Sequence, residues 1–480
     1  MNASLQCQTK PCRWILCCFS CVAVLTLLPG CAVKHPPAMK QMVKDTLPPT
    51  TAIPDAWTSK DANPGAVTNG WVKSFGDPQL EALVGEVLKN NLNLKAAATR
   101  IAVAQNLVIE AHAQMLPLIA AAGSATYLGH YEQKSAKGEN KGRFNASSLL
   151  AGISWEVDLW GRIRSQTAAA KEEVGATQND VLYAQESLAG VTAKLWFLAT
   201  YTNVLLQYAQ QDAQLKQQAL EIAQAQQSVG QAQEQQVAIA LANLETAQSQ
   251  VTEIRSSLQQ IKRGLETLMG RYPGGSLPLS ARLDAMPPPL PAGLPVQLLE
   301  RRPDILSAEH NVNAAFHLIQ TAEAARLPSL TLTSGAGYLT NEIYQKLAFR
   351  PWVWTVGANL AAPLYTGGFL KAEVNVAKEN QKAALAIYGA TILQAFDDVE
   401  VSLTNERDLR DEHRQLSAVV ENVDRALALE KIKFQVGQVD MGPVLQLEES
   451  GLGASAAASQ IQYELLANRV NLNLALGATP

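Results

Sequence analysis

The sequence predicts an α+β membrane protein in which a few amphipathic strands are combined with very long helices. Segments near residues 147–160 and 352–365 alternate apolar and polar residues with period two, which is typical of strands with one apolar and one polar face. Two other segments each run for 65 residues without proline. Strands and long helices recur in the same order in both halves of the chain, which indicates an internal two-fold repeat.

Composition excludes several classes of protein. The 480 residues carry a net charge of −4, so no basic surface suggests nucleic acid as a partner. All six cysteines lie between Cys7 and Cys31. The rest of the chain therefore has neither a disulfide framework nor a cysteine metal site.

Residues 1–30 are predicted to be a signal peptide. Lys10 and Arg13 precede an apolar run of 15 residues, which is short for a membrane-spanning helix. The run ends in Leu28-Pro29-Gly30-Cys31, which resembles a bacterial lipobox. Cys31 is expected to carry a diacylglycerol and an N-acyl chain, the alternative being an uncleaved anchor with a chance cysteine. Ala32, rather than aspartate, follows it and implies sorting to the outer membrane.

Proline-rich stretches divide the chain into its predicted domains. Residues 31–70 are expected to form the lipidated N-terminus and an extended leash. A linker at 272–295 separates a first repeat, 71–271, from a second, 296–480. The matches between the repeats stay in order, first at a shift of 211 and then of 207, as in Leu116-Pro117 and Leu327-Pro328, Gly161 and Gly368, and Val229-Gly230-Gln231 and Val436-Gly437-Gln438.

Each repeat is predicted to contain a helix, two strands and a long helical hairpin. The strand pairs are expected at 118–131 with 147–160 and at 329–341 with 352–365, joined by exposed polar loops. The helices are expected at 80–115, 163–227 and 234–269 in the first repeat and at 296–326, 370–434 and 444–476 in the second. A 65-residue helix is about 100 Å long, which favours a helical coiled-coil barrel over a globular domain.

The strands lead to an expectation about assembly. Each is long enough to cross a bilayer, yet four strands cannot close a barrel and an open sheet edge is not tolerated in lipid. Three copies of four strands would give a barrel of twelve. Ile153 and its apolar neighbours would then face lipid and Ser154 the lumen. Aromatic residues suited to the membrane interfaces are Trp155, Trp160, Trp352, Trp354 and Tyr365.

Several motifs together carry a family resemblance that covers almost the whole mature chain. The motifs are Trp71-Val72-Lys73-Ser74-Phe75-Gly76-Asp77-Pro78-Gln79-Leu80, Asp158-Leu159-Trp160-Gly161-Arg162, Arg301-Arg302-Pro303-Asp304-Ile305, Gln435-Val436-Gly437 and Leu474-Ala475-Leu476-Gly477. With them the chain resembles the TolC-like outer-membrane efflux proteins, in the NodT-like lipoprotein branch of RND-type tripartite systems. The resemblance implies a homotrimer with a twelve-stranded barrel in the outer membrane and a helical tunnel in the periplasm. It also implies a periplasmic adaptor and an inner-membrane RND-type pump as partners.

The resemblance also implies two groups of site residues. The adaptor-docking tips are expected at Val229 and Gly230 and at Val436 and Gly437, although these turns also fit simple helix C-caps. The periplasmic gate region is expected at Gln236, Asp440, Gly442 and Gln446. Asp440 is the only acid that the sequence places near the second tip, which predicts few ion pairs and a weak cation-selecting ring there.

No catalytic or metal constellation is apparent in the sequence. His310 and His317 are seven residues apart, which is not the i, i+4 spacing of a helical metal site. Neither a phosphate-binding loop nor a dinucleotide fingerprint is present. We therefore expect no enzyme activity and no cofactor beyond the lipid on Cys31. The predicted function is a passive export duct for small molecules such as drugs, the alternatives being the outer-membrane conduit of type I protein secretion or a structural periplasmic coiled-coil lipoprotein.

Overall fold

The fold was analysed in a computed structural model. The structure describes residues 33–48, 53–59, 65–130, 142–280, 283, 286–288, 290–293, 295–341 and 352–480. Chain contacts divide it into two units. The first comprises residues 1–39, 104–174 and 311–385, and the second comprises residues 40–103, 175–310 and 386–480. Cys31 and both predicted strand-connecting loops lie largely or wholly outside the described residues.

The described elements follow the predicted order. The helices are α1 (Met39–Thr46), α2 (Trp71–Ser74), α3 (Pro78–Asn90), α4 (Leu92–Ala113), α5 (Arg162–Ser228), α6 (Glu234–Leu268), α7 (Pro295–Leu298), α8 (Pro303–Ala324), α9 (Phe369–Gln435) and α10 (Met441–Ala475). The strands are β1 (Leu118–His130), β2 (Gly142–Val157), β3 (Ser329–Asn341) and β4 (Trp352–Ala361). The long helices α5 and α9 have 67 residues each, and the returning helices α6 and α10 have 35 each. None of the described helices is both long and apolar enough to cross a membrane.

The first helix of each repeat is broken, contrary to the prediction of one continuous helix. Asn91 separates α3 from α4, and its side chain accepts a hydrogen bond from Leu94 N at 3.0 Å while donating one to Leu268 O at 3.0 Å. In the second repeat Pro303 begins α8, because proline has no N–H to donate and fits only the first turn of a helix. Both breaks are therefore produced by a residue that begins a new helix.

The four strands form one antiparallel sheet in the first unit, in the order β1-β2-β3-β4. Its centre pairs Ala151 with Ala336 and Gly152 with Gly335. Two hairpins, β1–β2 and β3–β4, are thus joined side by side although the two long helices of the first repeat separate them in the chain. Within the described residues, β1 and β4 each have one edge without a partner strand.

The second unit has a hydrophobic core between its short and long helices. Trp71, Phe75 and Leu80 pack there against Trp196 and Phe197 of α5. Asp77 connects α3 to α5. Its carboxylate accepts a hydrogen bond from Gln79 N at 2.8 Å, which caps α3, and another from Trp196 Nε1 of α5 at 2.6 Å. The predicted entry motif therefore anchors the short helices to α5.

The N-terminal segment differs from the extended leash that was predicted. Its described residues include helix α1, and Met42, Leu47 and Trp57 are buried. Trp57 packs edge-on against Phe396 and donates from Nε1 to Ala292 O at 3.0 Å. The physical reason for the difference is that apolar residues interrupt the polar, proline-rich stretch and have a surface to pack on.

Candidate functional site

The two turns between long and returning helices have the same backbone geometry. Gly230 and Gly437 have φ of 75° and 74°, the left-handed region that favours glycine. Gly230 N donates to Gln227 O at 3.0 Å and Gln231 N to Gln226 O at 2.8 Å, and the second turn repeats both bonds from Gly437 and Gln438. These bonds satisfy the last carbonyls of α5 and α9, so both turns are true helix C-caps.

The turns also present an exposed apolar residue. Val229 and Val436, one position before each glycine, keep 67 % and 63 % of their surface exposed. Among the described residues, no atom lies within 4 Å of where a Cβ would stand at Gly230 or Gly437. The cap geometry therefore leaves the tips accessible for a contact.

Three of the four predicted gate residues surround one cavity. Gln236 of α6 and Gly442 and Gln446 of α10 line a cavity of 290 Å³, together with residues of α5. Asp440 is outside its lining and instead caps α10, with Oδ1 accepting from Gly442 N at 3.3 Å. Gln236 also has a local role, since its Oε1 accepts from Gln233 N at 3.1 Å at the start of α6. Both residues thus shape helix starts beside the cavity.

The structure adds charged residues that the sequence analysis missed. Lys216 of α5 and Glu449 of α10 line the same cavity and form an ion pair, Nζ to Oε2, of 2.6 Å. Lys431 of α9 and Glu448 of α10 form a second pair of 2.6 Å. Glu448 and Glu449 lie 11 and 12 residues beyond Gly437 and pair within one chain, so the expectation of few ion pairs at the second tip itself stays a prediction. The expectation counted only residues next to the turn, whereas these charges meet across helices.

Burial also acts on Asp212, an acid near this cluster. Burial raises the pKa of Asp212, one turn before Lys216, while Lys216 lowers it and Glu449 raises it. The cavity wall therefore contains a lysine and one carboxylate, Glu449, and the charges of both act on a second carboxylate, Asp212. No local pattern in the sequence indicates this, because Lys216 and Glu449 belong to different repeats.

A second polar centre explains the Arg-Arg-Pro-Asp motif. Arg302 is buried and donates to Asp304 Oδ2 at 2.7 Å and to Asp398 Oδ2 at 2.9 Å, joining α8 to α9. These hydrogen bonds and charges raise the pKa of Arg302 against the opposing effect of burial. Nearby, burial and then the charge of Asp304 raise the pKa of Glu186 to about 7. Asp398 of the long helix thus belongs to a structural ion pair, and its neighbour Asp397 lines the same cavity.

A further long-range pair is buried between α9 and α10. Arg469 of α10 bonds Glu406 of α9, and its guanidinium also donates to Pro287 O at 3.3 Å in the proline-rich linker. Such a pair is costly to break, because a single remaining charge would be buried.

Among the residues that the structure describes, no group of three or more His, Cys, Asp or Glu is placed to hold a metal ion.

The junction between strands and helices is also held by charge. Asp158 accepts from Ile163 N and Arg164 N, which caps the start of α5, and its Oδ2 pairs with Arg164 Nε at 3.1 Å. Arg162 pairs with Glu156 at 2.9 Å. Trp160 Nε1 donates to Pro328 O at 2.7 Å, so this predicted interface residue connects the two repeats. The Asp-Leu-Trp-Gly-Arg motif is thus a structural corner.

Comparison with known proteins gives consistent matches over most of the chain. Residues 83–271 and 294–478 each match the family model described as outer membrane efflux protein. The pyoverdine export outer membrane protein OpmQ of Pseudomonas aeruginosa is 31 % identical over 422 residues, covering 85 % of this chain and 86 % of the relative. The cation efflux system protein CusC of Escherichia coli is 27 % identical and covers 85 % of this chain and 88 % of the relative.

Solved structures match to a similar extent. The outer membrane channel CmeC of Campylobacter jejuni has a TM-score of 0.80 at 23 % identity, covering 90 % of this chain and 94 % of that chain. The MtrE outer membrane channel of Neisseria gonorrhoeae, solved in its open state, has a TM-score of 0.75 at 28 % identity and covers 90 % and 98 %.

Proposed function

Because this chain belongs to the outer membrane efflux protein family, we propose that it is the export duct of a tripartite efflux system whose energy comes from an inner-membrane pump. The protein is an outer-membrane efflux channel that extends into the periplasm, and it is not an enzyme. Its duct is formed by a homotrimer with a twelve-stranded barrel and a helical coiled-coil barrel. The observation that carries this assembly is the open four-stranded sheet.

The free edges of β1 and β4 support closure of the sheet by several chains. A sheet edge exposed to lipid would leave backbone N–H and C=O groups without partners, at a cost of several kcal/mol for each group. Joining β1 of one chain to β4 of the next removes every such edge when the ring closes. Three copies of four strands make twelve, an even number suited to antiparallel closure.

The internal repeat explains how one chain supplies two equivalent hairpins to the ring. Helices of 67 and 35 residues occur in each half, and the family model matches each half separately. Three glycine pairs at the shift of 207 all have positive φ: Gly161 and Gly368, Gly230 and Gly437, and Gly270 and Gly477. Duplication of a domain-sized unit accounts for this correspondence.

The partners and cargo follow from the same assembly. Six tips in a trimer, at Val229-Gly230 and Val436-Gly437 of each chain, contact a periplasmic adaptor coupled to an RND-type pump. The cargo is the class of small molecules that the pump delivers, since relatives of similar identity are named for exporting pyoverdine, cations and toluene. The periplasmic gate region is formed by Gln236, Gly442 and Gln446 together with the Lys216–Glu449 pair. Asp440 supports this region by capping α10.

Disulfide cross-linking tests the trimer. Because all six cysteines of the sequence precede residue 32, cysteines placed in the strands react only with each other once Cys31 is lipidated. Ala122→Cys on β1 and Val356→Cys on β4, with neighbouring positions to sample the register, should give oxidised products of two and three chains and none larger. The matched control, Ala151→Cys with Ala336→Cys, joins partners within one chain and should give monomers only.

Two cross-linking results would contradict the trimer. A ladder that continues beyond three chains, or no product between the β1 and β4 positions, would exclude the closed trimeric ring. For efflux itself, cells lacking the protein should accumulate the pump's substrates, and restoring the chain should reverse this. Unchanged accumulation with the pump and adaptor present would exclude the duct function.

A further inference from the structure

A cavity of 620 Å³ lies in the first unit, where the sheet meets its helices. Three chain junctions form it: β2 with α5, α8 with β3, and β4 with α9. Its apolar lining includes Val157, Leu159, Trp160, Leu327, Phe369 and Leu370. The volume is within the range of about 300 to 1,000 Å³ of pockets that enclose most of a small organic ligand.

The cavity wall is suited to an uncharged, apolar occupant. Phe369 keeps 61 % of its surface exposed and Leu327 keeps 42 %, so apolar surface is left without a cover among the described residues. The charged wall residues are already neutralised, since Glu156 pairs with Arg162 and Asp158 with Arg164. A charged ligand would find no unpaired opposite charge here, whereas a hydrocarbon chain would bury apolar area.

The N-terminal segment of the chain leads towards this cavity. Lys34 N donates to Gln320 Oε1 at 3.0 Å, and Gln320 Nε2 donates to Lys34 O at 3.4 Å. The pKa of His317 is lowered by burial, raised by the charge of Glu172 and lowered by that of His35, which indicates that His35 lies near this imidazole. Going back along the chain from His35 to Lys34 therefore follows α8 from residue 317 towards its end.

The end of α8 is part of the cavity wall. Ala324, which lines the cavity, is four residues beyond Gln320 on nearly the same helix face, about 6 Å away. Cys31 is three residues before Lys34, a span of at most about 10 Å when extended. The lipid-bearing residue is thus within reach of the cavity mouth.

We propose that one acyl chain on Cys31 occupies this cavity, at the base of the sheet, instead of lying free in the bilayer. The inference rests on the lipidation of Cys31. Occupation would attach the N-terminus to the three junctions where strands become helices. The lipid would then be a packing component of the channel as well as an anchor.

Photo-cross-linking of the lipid in whole cells tests whether the acyl chain occupies this cavity. Cells are grown with a palmitic acid that carries a diazirine and an alkyne, membranes are irradiated, and lipid-linked peptides of the full-length protein are mapped by mass spectrometry. Cross-links are expected in peptides covering residues 324–329 and 361–370. Phe369→Asp should lower their yield by about fivefold or more, because a charge in the wall disfavours hydrocarbon.

Leu364→Asp is the matched control. Leu364 is 96 % exposed and does not line the cavity, so the yield should stay at the wild-type level. Aspartate at position 369 is the first residue of α9, where an acid favours the helix dipole, and normal heat-modifiable migration would verify assembly.

Three outcomes would overturn the proposal. Equal cross-linking to these peptides in Cys31→Ser would assign the cavity to membrane phospholipid. Lipid-modified protein that cross-links only elsewhere would exclude the acyl chain from the cavity but leave the lipid on Cys31 as a membrane anchor. Wild-type protein without any incorporated label would exclude both the lipid on Cys31 and its place in the cavity.

Discussion

Tryptophan at Gly437 tests whether the helix tips contact an adaptor. The glycine has φ of 74°, a conformation that costs a non-glycine residue about 1 to 2 kcal/mol. Among the described residues nothing lies within 4 Å of a Cβ built there, so the substitution adds no internal clash. The energetic penalty is therefore small compared with the stability expected of the proposed trimeric channel.

The effect on a partner should be much larger. A helix that packs on the tip approaches to an interaxial distance of about 8 to 10 Å, which an indole at the turn would prevent. We expect Gly437→Trp to leave the trimer level unchanged and to reduce efflux, and the double variant with Gly230→Trp to behave like a strain lacking the channel. Trimer level and drug susceptibility are measured in the same cells.

Gly76 provides a matched control for the energetic cost of a side chain at positive φ. Its φ is 70° and a Cβ there would also meet open space among the described residues, yet it lies outside the tips. Gly76→Trp should therefore keep wild-type efflux at a similar cost in stability. Wild-type resistance in the double tip variant, with normal trimers, would refute the docking role and leave the turns as helix caps alone.

The remaining predictions concern the anchor, the barrel face and one buried acid. Cys31→Ser should abolish palmitate labelling while some channel still assembles, and continued labelling would contradict the lipid site. Ile153→Arg should reduce assembly, because a charge on the lipid face costs about 2 to 4 kcal/mol, whereas Ser154→Arg should have a mild effect. The opposite pattern on heat-modifiable gels would show that Ser154, and not Ile153, faces the lipid. Burial and Asp304 raise the pKa of Glu186 to about 7 from 4.5, so the folded state retains a proton that the unfolded state loses, and stability falls as pH rises from about 4.5 through 7. Glu186→Gln should remove about 1 to 3 kcal/mol of this pH dependence, measured as the change in unfolding temperature between pH 5 and pH 8.

Local sequence patterns predicted the elements well where each residue's role depends on its neighbours in the chain. The observed β3 has the predicted bounds, and α5 and α9 extend the predicted helices by one residue at each end. Helix α10 begins at Met441 instead of residue 444, because Pro443 is tolerated in the first turn after the Asp440 cap. The break at Asn91 was missed, since its amide is bonded to Leu268 O, a partner distant in the chain.

Local sequence patterns did not predict which side chains on different helices contact each other. The sequence placed Gln236, Gly442 and Gln446 in one region only through family resemblance, and it missed Lys216 and Glu449 in the same cavity. A lysine on a polar, glutamine-rich helix resembles any solvated residue until the packing of the helices is known. The buried Arg469 and its partner Glu406 were missed for the same reason.

By itself the sequence determined the length of the long helices α5 and α9, the strand periodicity, the turns at Gly230 and Gly437 and, through its motifs, the family to which the chain belongs. These depend on backbone preference and on the order of apolar residues, which act over a few positions. Only the tertiary structure decided that β2 pairs with β3 across the repeats, that Trp57 packs against Phe396, and which charges meet beside the predicted gate residues. Such contacts depend on the distance between helices and strands in space, which no spacing along the chain records.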